Sequence, residues 1–202
     1  NEGNLSVVNN SALNGREDYR VAGKVGGLFG SLSGTVYNCY NTGDNTSNGL
    51  YDIWIANNAK YYAKSTLIGG IAGLSDKAAI YNCYSSGSVG TKYTWTGGLS
   101  GYAGTMTVVN SYWSDTTAEK VCGYESFSAA AGSENYGPMA YAQTGGSSDP
   151  ESGTQYAADL LTDWAKANYL NTIGSGSYTW TVTEEGKPAF GDVPTRAKAP
   201  IV

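Results

Sequence analysis

The chain has 202 residues, with 28 glycines, 12% aromatic residues, no histidine and a formal net charge of −5. The acidic balance argues against binding to nucleic acid and against binding to an anionic membrane surface, because both attract basic patches. The absence of histidine removes the commonest general acid/base and the commonest metal ligand. No apolar run approaches the roughly 20 residues that span a bilayer, so we expect no membrane insertion by this segment.

A short phrase recurs along the chain and sets its organisation. Copies of the phrase occupy residues 6–15, 25–43, 68–89 and 96–113. Their aligned asparagines are Asn9, Asn38, Asn82 and Asn110. The spacings are 29, 44 and 28 residues, and an insertion of about 16 residues in the second interval leaves a period of about 28. Such a period is typical of repeat proteins whose coils stack on one another.

Each longer copy contains two strand-like runs, GG[LI]xG and [VI]xN[CS]Y, separated by glycine and serine turns. We therefore predict an all-β fold, a parallel β-solenoid with coils of about 28 residues and right-handed crossovers. One inward-facing rung is predicted to hold Leu28, Ile71 and Leu99. A second rung is predicted to hold Val36, Ile80 and either Val108 or Val109.

Small and polar residues also recur at fixed positions. The glycine pairs at 26–27, 69–70 and 97–98 are predicted to take positive φ or to allow a close backbone approach. The asparagines are predicted to form an internal ladder that bonds turn carbonyls. Cys39 and Cys83 share one repeat position, so adjacent coils would permit a disulfide. Free thiols are favoured, because the third copy has Ser111 at that position. Together with Cys122 these cysteines form no CxxC pair, so a zinc site is not expected.

The phrases VGGLFG…GTVYNCYNTG and IGGIAG…AIYNCYSSGSV resemble GLUG repeats, a motif of bacterial surface and adhesin-like proteins and of some immunoglobulin-A-cleaving metallopeptidases. NSYWSDTTA after the third copy is similar to the NCYWD phrase that closes such arrays. Residues 158–191 resemble the tail that follows them in gut bacterial proteins, although GKPAF stands here where that tail usually reads GGYPVF. The resemblance implies an extracellular, bacterial cell-surface location. It implies no activity, because the peptidases carry their HExxH motif in another domain and this chain has no histidine.

Residues 44–66 interrupt the period, and insertions in stacked repeats loop out from one face. The candidate ligand-binding residues of this insertion are Tyr51, Trp54, Tyr61 and Tyr62. Their rings suit stacking on sugars or anchoring of a protein partner. In the alternative, the residues around Trp54 pack the insertion back onto the solenoid. The Asp and Asn residues nearby are interpreted as turn formers, and neither a metal nor a cofactor is expected.

The repeats and their insertion make up residues 1–113, and residues 114–191 are predicted to form an irregular excursion and a C-terminal α/β cap. Helical spacing in this cap relates Ala157, Leu160, Leu161, Trp164 and Asn168, with Thr154 as a possible N-cap. The run SYTWTVTEE alternates as a strand, and a helix and strand here suit the covering of the last coil's open end. Residues 192–202 read as a linker to a further domain. The start without Met or a signal peptide indicates a piece of a longer protein.

Three functions are weighed for this segment. The first is an adhesive module that binds a host glycan or an extracellular protein, and the second is a structural stalk that presents another domain of the same polypeptide. A β-helix enzyme that degrades polysaccharides comes third, because the repeats lack the clustered carboxylates of such enzymes and no catalytic residue is predicted. A binder should expose a clustered aromatic patch, whereas a stalk should bury Trp54 and expose scattered polar residues.

Overall fold

The structure is a computed structural model, and the part it describes contains the three full repeats and a C-terminal helix. The described residues are 5–7, 23–47, 52–56, 59–63, 66–90, 94–114, 117–124, 127–139, 157–168, 172–173, 176–177, 180–182 and 188–190. The first strands in chain order are β1 (Leu5–Val7), β2 (Gly23–Gly26), β3 (Phe29–Tyr37), β4 (Tyr40–Asn41), β5 (Asn45–Ser47), β6 (Asp52–Ala56), β7 (Ala59–Ala63), β8 (Thr66–Gly69), β9 (Ala72–Tyr81) and β10 (Tyr84–Ser85). They are followed by β11 (Thr94–Gly97), β12 (Ser100–Ala103), β13 (Met106–Ser114), β14 (Glu134–Met139), α1 (Ala157–Ala167), β15 (Thr172–Ile173), β16 (Gly176–Ser177), β17 (Trp180–Val182) and β18 (Pro188–Phe190). Strands predominate among these residues, which confirms the predicted all-β class.

The three full repeats lie side by side, and their strands pair in parallel and in register. β8 pairs with β2 on one side and with β11 on the other, while β9 pairs with β3 and with both β12 and β13. Ile80 is the cross-strand partner of Val36 and of Val108, so the second predicted rung is confirmed with Val108 rather than Val109. The result is a curled parallel sheet in which each repeat supplies one layer.

The apolar core lies inside the curl. The first predicted rung is confirmed, because Leu28 N donates to Ile71 O at 3.1 Å and Ile71 N donates to Leu99 O at 3.0 Å. Ile71 and Leu99 are fully buried, whereas Leu28 of the first layer is half-buried. Full burial of such a side chain contributes about 1.5–3 kcal/mol relative to exposure. The layers with neighbours on both sides therefore gain most from the stacking.

The glycine pairs serve close packing and not positive φ. None of the six has a positive φ. A Cβ on Gly70 would lie 2.0 Å from Ser85 Oγ and 2.3 Å from the Gly98 carbonyl oxygen, and a Cβ on Gly69 would lie 2.2 Å from Ala72 O. The close-approach alternative is thus confirmed, because a side chain at these positions would enter the backbone of its own or the adjacent layer.

The asparagine ladder is confirmed, and it also carries the positive φ that was sought at glycine. Asn38, Asn82 and Asn110 have φ of 51°, 53° and 43°. Asn82 Nδ2 donates to Asn38 Oδ1 at 2.6 Å, and Asn110 Nδ2 donates to Asn82 Oδ1 at 2.7 Å. The same amides also donate to helix carbonyls, Asn82 to Leu161 O and Asn110 to Leu160 O, and not to the turn carbonyls that were expected.

A fourth layer continues the sheet through the segment that was expected to be an irregular excursion. β14 pairs in parallel with β13, and Leu99 N donates to Val121 O at 3.1 Å. The register of β14 places Asn135 opposite Asn110, and Asn135 has the same positive φ, 51°. The asparagine column therefore extends into a fourth layer, although the residues around it do not repeat the GLUG-like phrase.

The helical periodicity in the C-terminal region is confirmed by α1, with one correction. Ala157 and Leu161 are buried on one face of the helix. Asn168 does not join that stripe, because it is exposed and its Nδ2 donates to Trp164 O at 2.9 Å. It therefore satisfies a carbonyl near the helix end instead of packing. The proposed N-cap, Thr154, lies outside the described residues.

α1 packs on the flank of the stack and not over its open end. The tyrosine column beside the helix consists of Tyr40, Tyr84 and Tyr112. The strand predicted in SYTWTVTEE is present as β17, which pairs with β18 and sets the buried Trp180 against this column and the helix. The end of the core is instead contacted by Val121, Tyr124 and Phe127. The fourth layer thus takes the covering role that was expected of the helix.

The N-terminal segment does not join the stack in the repeat register. β1 pairs in parallel with β5, with Leu5 opposite Asn45. Alignment of Asn9 with Asn38 would instead place residue 16 opposite Asn45, so the predicted N-terminal coil is wrong in its register. Within the described part of the chain, no helix combines the length and the apolar character needed to cross a membrane.

Candidate ligand-binding site

Three predicted site residues of the insertion, Trp54, Tyr61 and Tyr62, lie on the β6–β7 hairpin. Tyr51 is outside the described residues. In the antiparallel hairpin, Trp54 is the cross-strand partner of Tyr61, and Tyr62 is the partner of Ile53. The fold therefore brings the backbones of Trp54 and Tyr61 to one register position. Their role in ligand binding stays a prediction.

A second group of aromatic residues meets on the outer surface of the third and fourth layers. We call Trp95, Tyr102 and Tyr124 the Trp95 cluster. The ring centroids of Trp95 and Tyr124 are 5.2 Å apart, those of Tyr102 and Tyr124 are 4.9 Å apart, and those of Trp95 and Tyr102 are 6.4 Å apart. All three side chains are half-buried, so the cluster presents aromatic surface to solvent while its members support one another.

The strand pattern explains why the rings of Trp95 and Tyr102 face outward. Side chains alternate between the two faces of a strand, and the neighbours of Tyr102 in β12 are buried. At the Trp95 position the three repeats carry Lys24, Leu67 and Trp95. At the Tyr102 position they carry Ser31, Leu74 and Tyr102. The outer face therefore changes from polar in the first layer to aromatic in the third, although the backbone register is unchanged.

A cleft of about 350 Å³ opens beside the Trp95 cluster at the fourth-layer end of the stack. Tyr124 belongs to both the cluster and the cleft wall. The other residues that line the cleft are Trp113, Glu119, Lys120, Val121, Cys122, Phe127, Tyr136, Gly137 and Pro138. A volume of this size lies within the usual range for small-molecule sites, which are largely apolar with a few polar groups.

The cleft has a fixed base and a solvent-exposed wall. Trp113 is buried, and its indole N–H donates to Ala118 O at 2.8 Å, which fixes the ring. Tyr136 is 37% exposed, and Glu119 and Lys120 are exposed at the same opening. A ligand in the cleft would therefore meet aromatic faces together with one carboxylate acceptor and one ammonium donor.

Sequence reasoning concentrated on the aromatic residues of the insertion and did not single out the Trp95 cluster. A signal was available in the repeat alignment, where Trp95 and Tyr102 replace the Lys24 and Ser31 of the first copy. Stacking of the layers does not require an aromatic side chain at an outward position, because the first repeat stacks with polar residues there. Tyr136 carried a weaker signal, because it follows the asparagine of ENYG as a distant variant of the repeated phrase.

A further aromatic row lies on the flank where α1 docks. Tyr37 stacks on Tyr81 at 4.9 Å with an interplanar angle of 19°, and Tyr81 stacks on Trp164 of α1 at 6.1 Å. Tyr37 is 46% exposed at the end of this row. Since helix docking already accounts for two of its three rings, the row is explained by packing without a ligand.

The cysteines are free thiols in three different environments. Cys83 and Cys122 are buried and Cys39 is half-buried. A side-chain hydrogen bond with Cys83 lowers the pKa of the Cys39 thiol, whereas burial raises the pKa of Cys83 well above its usual value. Burial also raises the pKa of the Cys122 thiol. Among the described residues, no group of three or more Cys, Asp or Glu side chains is placed to hold a metal ion.

Comparison with known proteins identifies one motif. Residues 64–90, which contain the second copy of the repeat, match the sequence model of the GLUG motif. No curated protein and no solved structure matches the chain. The GLUG resemblance is therefore established for one layer of the stack, and it assigns no activity by itself.

Proposed function

We propose that this chain is a non-catalytic binding module of an exported bacterial surface protein, and that it holds a host glycan or an extracellular protein at the cleft beside the Trp95 cluster. The observation that carries the proposal is the continuity of the three clustered rings with the cleft of about 350 Å³ through Tyr124. A cluster of partly exposed aromatic side chains beside the exposed Tyr136 is the feature expected of a binder and not of a stalk.

The proposed architecture is a right-handed parallel β-solenoid of GLUG-type coils. Its support is the parallel, in-register pairing of successive layers, with a step of 28 residues from Leu67 to Trp95. The proposed location is outside the bacterial cell, as the resemblance to GLUG repeats of surface proteins implies, and other domains of the same polypeptide would be its covalent partners. Handedness follows the strong general preference for right-handed parallel crossovers.

A glycan is the ligand that the cleft chemistry favours. Aromatic rings provide flat apolar faces for the C–H surfaces of sugar rings, and Tyr124 and Tyr136 offer such faces at the cleft. Hydroxyl groups of a sugar can donate to the Glu119 carboxylate and accept from the Lys120 ammonium. Charge-assisted hydrogen bonds of this kind would fix the orientation of the ring.

The carboxylate count supports a binding role over glycoside hydrolysis. Glu119 is the one carboxylate among the described residues that line the cleft. Most glycosidases need two carboxyl groups, one as acid and one as nucleophile or base. Turnover of a polysaccharide by this segment would therefore contradict the proposal.

A structural stalk is the second candidate. Its support is the parallel backbone pairing that connects four layers, which would make a stiff spacer, together with the docking of α1 along the flank. In that case the aromatic cleft would have no ligand, and the domain would serve to present another part of the polypeptide.

Binding to an array of host glycans and mucins tests the proposal. The matched variants are Tyr136→Ala in the cleft wall and Tyr37→Ala on the flank, because these tyrosines are similarly exposed, at 37% and 46%. We expect Tyr136→Ala to abolish binding and Tyr37→Ala to leave it unchanged. A double variant, Trp54→Ala with Tyr62→Ala, tests the insertion.

Loss of binding only in the insertion variant would move the site to the β6–β7 hairpin. Binding that survives every variant would refute the cleft as the site. An absence of binding by the unmodified protein to all glycans and to extracellular matrix proteins would favour the stalk. Thermal unfolding of each variant shows whether lost binding reflects the site or the fold.

A further inference from the structure

Cys39 and Cys83 occupy the same position in adjacent layers. Just before the two cysteines in the chain, Tyr37 pairs with Tyr81, and just after them Tyr40 pairs with Tyr84. Tyr84 N donates to Cys39 O at 2.9 Å, so the backbone pairing is continuous through the cysteines. Neighbouring strands lie about 4.8 Å apart, which is within the Cα separation that a disulfide tolerates.

The two thiols also point in the same direction. Cys39 Sγ donates to Tyr37 O at 3.2 Å, and Cys83 Sγ donates to Tyr81 O at 3.2 Å. Each side chain therefore turns back to the carbonyl two residues earlier, and the sulfurs are aligned along the stack.

We propose that Cys39 and Cys83 form a redox-sensitive pair that closes to an intramolecular disulfide and fastens the first layer to the second. The closed loop would run from residue 39 to residue 83 and contain the insertion at 44–66. This inference is independent of the proposed glycan site.

The two cysteines differ in the roles they can take. Cys39 is half-buried and the neighbouring Cys83 side chain lowers the pKa of its thiol, so it is the attacking group. Cys83 is buried and burial raises the pKa of its thiol, so it takes the resolving role. On the other side of Cys83 lies Ser111, whose Oγ accepts from Cys83 N at 3.1 Å, so Cys39 is its one thiol neighbour in this column.

A small-molecule disulfide such as oxidised glutathione can supply the oxidising equivalents. The Cys39 thiolate attacks one sulfur of this disulfide, forms a mixed disulfide and releases one glutathione thiolate. Cys83 then loses its proton and attacks the Cys39 sulfur, which releases the second glutathione. Two protein thiols lose two protons and two electrons, and one oxidised glutathione becomes two reduced molecules.

The test equilibrates the whole chain with oxidised glutathione, blocks remaining thiols by alkylation and locates cystine by peptide mapping. We expect a mass about 2 Da lower before alkylation, a peptide linking Cys39 to Cys83, and a thermal midpoint about 5 °C higher than in the reduced protein. Complete alkylation of all cysteines, or a link through Cys122, would overturn the proposal.

Serine variants distinguish the pair from general reactivity. Cys83→Ser has a natural precedent in Ser111 at the same position, and it should leave one glutathione attached to Cys39 because no resolving thiol remains. Cys39→Ser should take up no glutathione, since Cys83 is buried. Cys122→Ser should still form the disulfide. A Cys83→Ser protein that acquires no adduct would show that Cys39 does not react and would contradict the mechanism.

Discussion

Asn82 illustrates how one residue type can satisfy several demands at one position. Its φ of 53° lies in the left-handed region, where asparagine is tolerated better than most residues with a side chain. Its fully buried amide donates to Asn38 and to the Leu161 carbonyl and accepts from Asn110. Glycine would meet the backbone demand alone. Asparagine recurs at this position because it combines tolerance of the left-handed backbone with an amide that donates and accepts hydrogen bonds.

Substitution of Asn82 separates these two contributions. Asn82→Gly removes the amide but keeps the backbone conformation, and we expect it to cost about 2 kcal/mol because Asn110 Nδ2 loses a buried acceptor. Asn82→Ala also strains the left-handed backbone and should be about 1 kcal/mol less stable than the glycine variant. Urea unfolding measures both values. Equal stability of the two variants would show that the backbone conformation contributes little.

The buried thiol of Cys122 should make stability depend on pH. Because burial raises its pKa, the thiol stays neutral in the folded protein while it ionises in the unfolded chain above its ordinary pKa of about 8.5. The stabilisation is therefore complete below that pH and is lost as pH rises toward the folded-state pKa, at no more than about 1.4 kcal/mol per pH unit.

Cys122→Ala is the matched variant for this pH effect, because Ala72 occupies the equivalent position in the second layer. When the unfolding free energies of the two proteins are subtracted, the pH-dependent contributions of the ionisable groups that both proteins share cancel. We expect wild type to lose stability relative to the variant between pH 8 and pH 10. A constant difference over that range would contradict a raised thiol pKa.

At the residue scale, the sequence predicted which positions repeat but not how each is used. Alignment alone placed Asn38, Asn82 and Asn110 in one ladder. It put Val36 in register with Ile80 but left the third partner open between Val108 and Val109. It left open whether the glycines serve φ or space. Glycine suits both a positive φ and a close backbone approach. The atoms that come close to these glycines belong largely to adjacent layers, so the sequence could not identify them.

At the scale of elements, the turn between β8 and β9 depends on space that only glycine leaves. Gly70→Ala would bring a Cβ within 2.3 Å of the Gly98 carbonyl oxygen of the next layer. Since that backbone atom cannot rotate away, we expect a loss of at least about 3 kcal/mol or a failure to fold. Thermal and urea unfolding provide the measurement.

Gly137 in β14 is the control for this prediction. No atom lies within 4 Å of a Cβ built there, and its φ is not positive. Gly137→Ala should therefore change stability by no more than about 0.5 kcal/mol. A similar loss in both variants would indicate that general strand effects, and not the contact between layers, set the cost.

The position of α1 shows what periodicity leaves undetermined. The spacing of Ala157 and Leu161 identified the buried face of the helix correctly. It carried no information on the surface that this face meets, which proved to be the flank with Tyr84 and the amide of Asn82. The clue lay in the strands, because an outward column of tyrosines needs a cover that the repeats themselves do not supply.

At the scale of the whole molecule, the fourth layer explains why the candidate site was not foreseen. From Asn110 to Asn135 the step is 25 residues and not 28, and Ser133 and Glu134 precede Asn135 where Val108 and Val109 precede Asn110. A search for the period therefore ends at the third copy. The cleft forms where this shortened layer meets Trp113, so its walls come from residues that no repeat pattern connects.

Stacking of layers also predicts a gradient of local stability. In such an arrangement each layer contacts only its neighbours, so an outer layer can open without the others. Among the described residues, β2 pairs only with β8 and β3 only with β9, whereas β9 has partners on both sides. The amides of Leu28 and Ile71 make equivalent hydrogen bonds, of 3.1 and 3.0 Å, in the first and second layers.

We expect the Leu28 amide to exchange with solvent deuterium at least about tenfold faster than the Ile71 amide, after correction for intrinsic rates. Because the two bonds are alike in length and position, a difference in protection reports the opening of the first layer and not the strength of a single bond. Hydrogen–deuterium exchange followed by NMR, which resolves single amides, makes the measurement. Equal protection would mean that the first two layers open as one unit, and the independence of the outer layer would then be rejected.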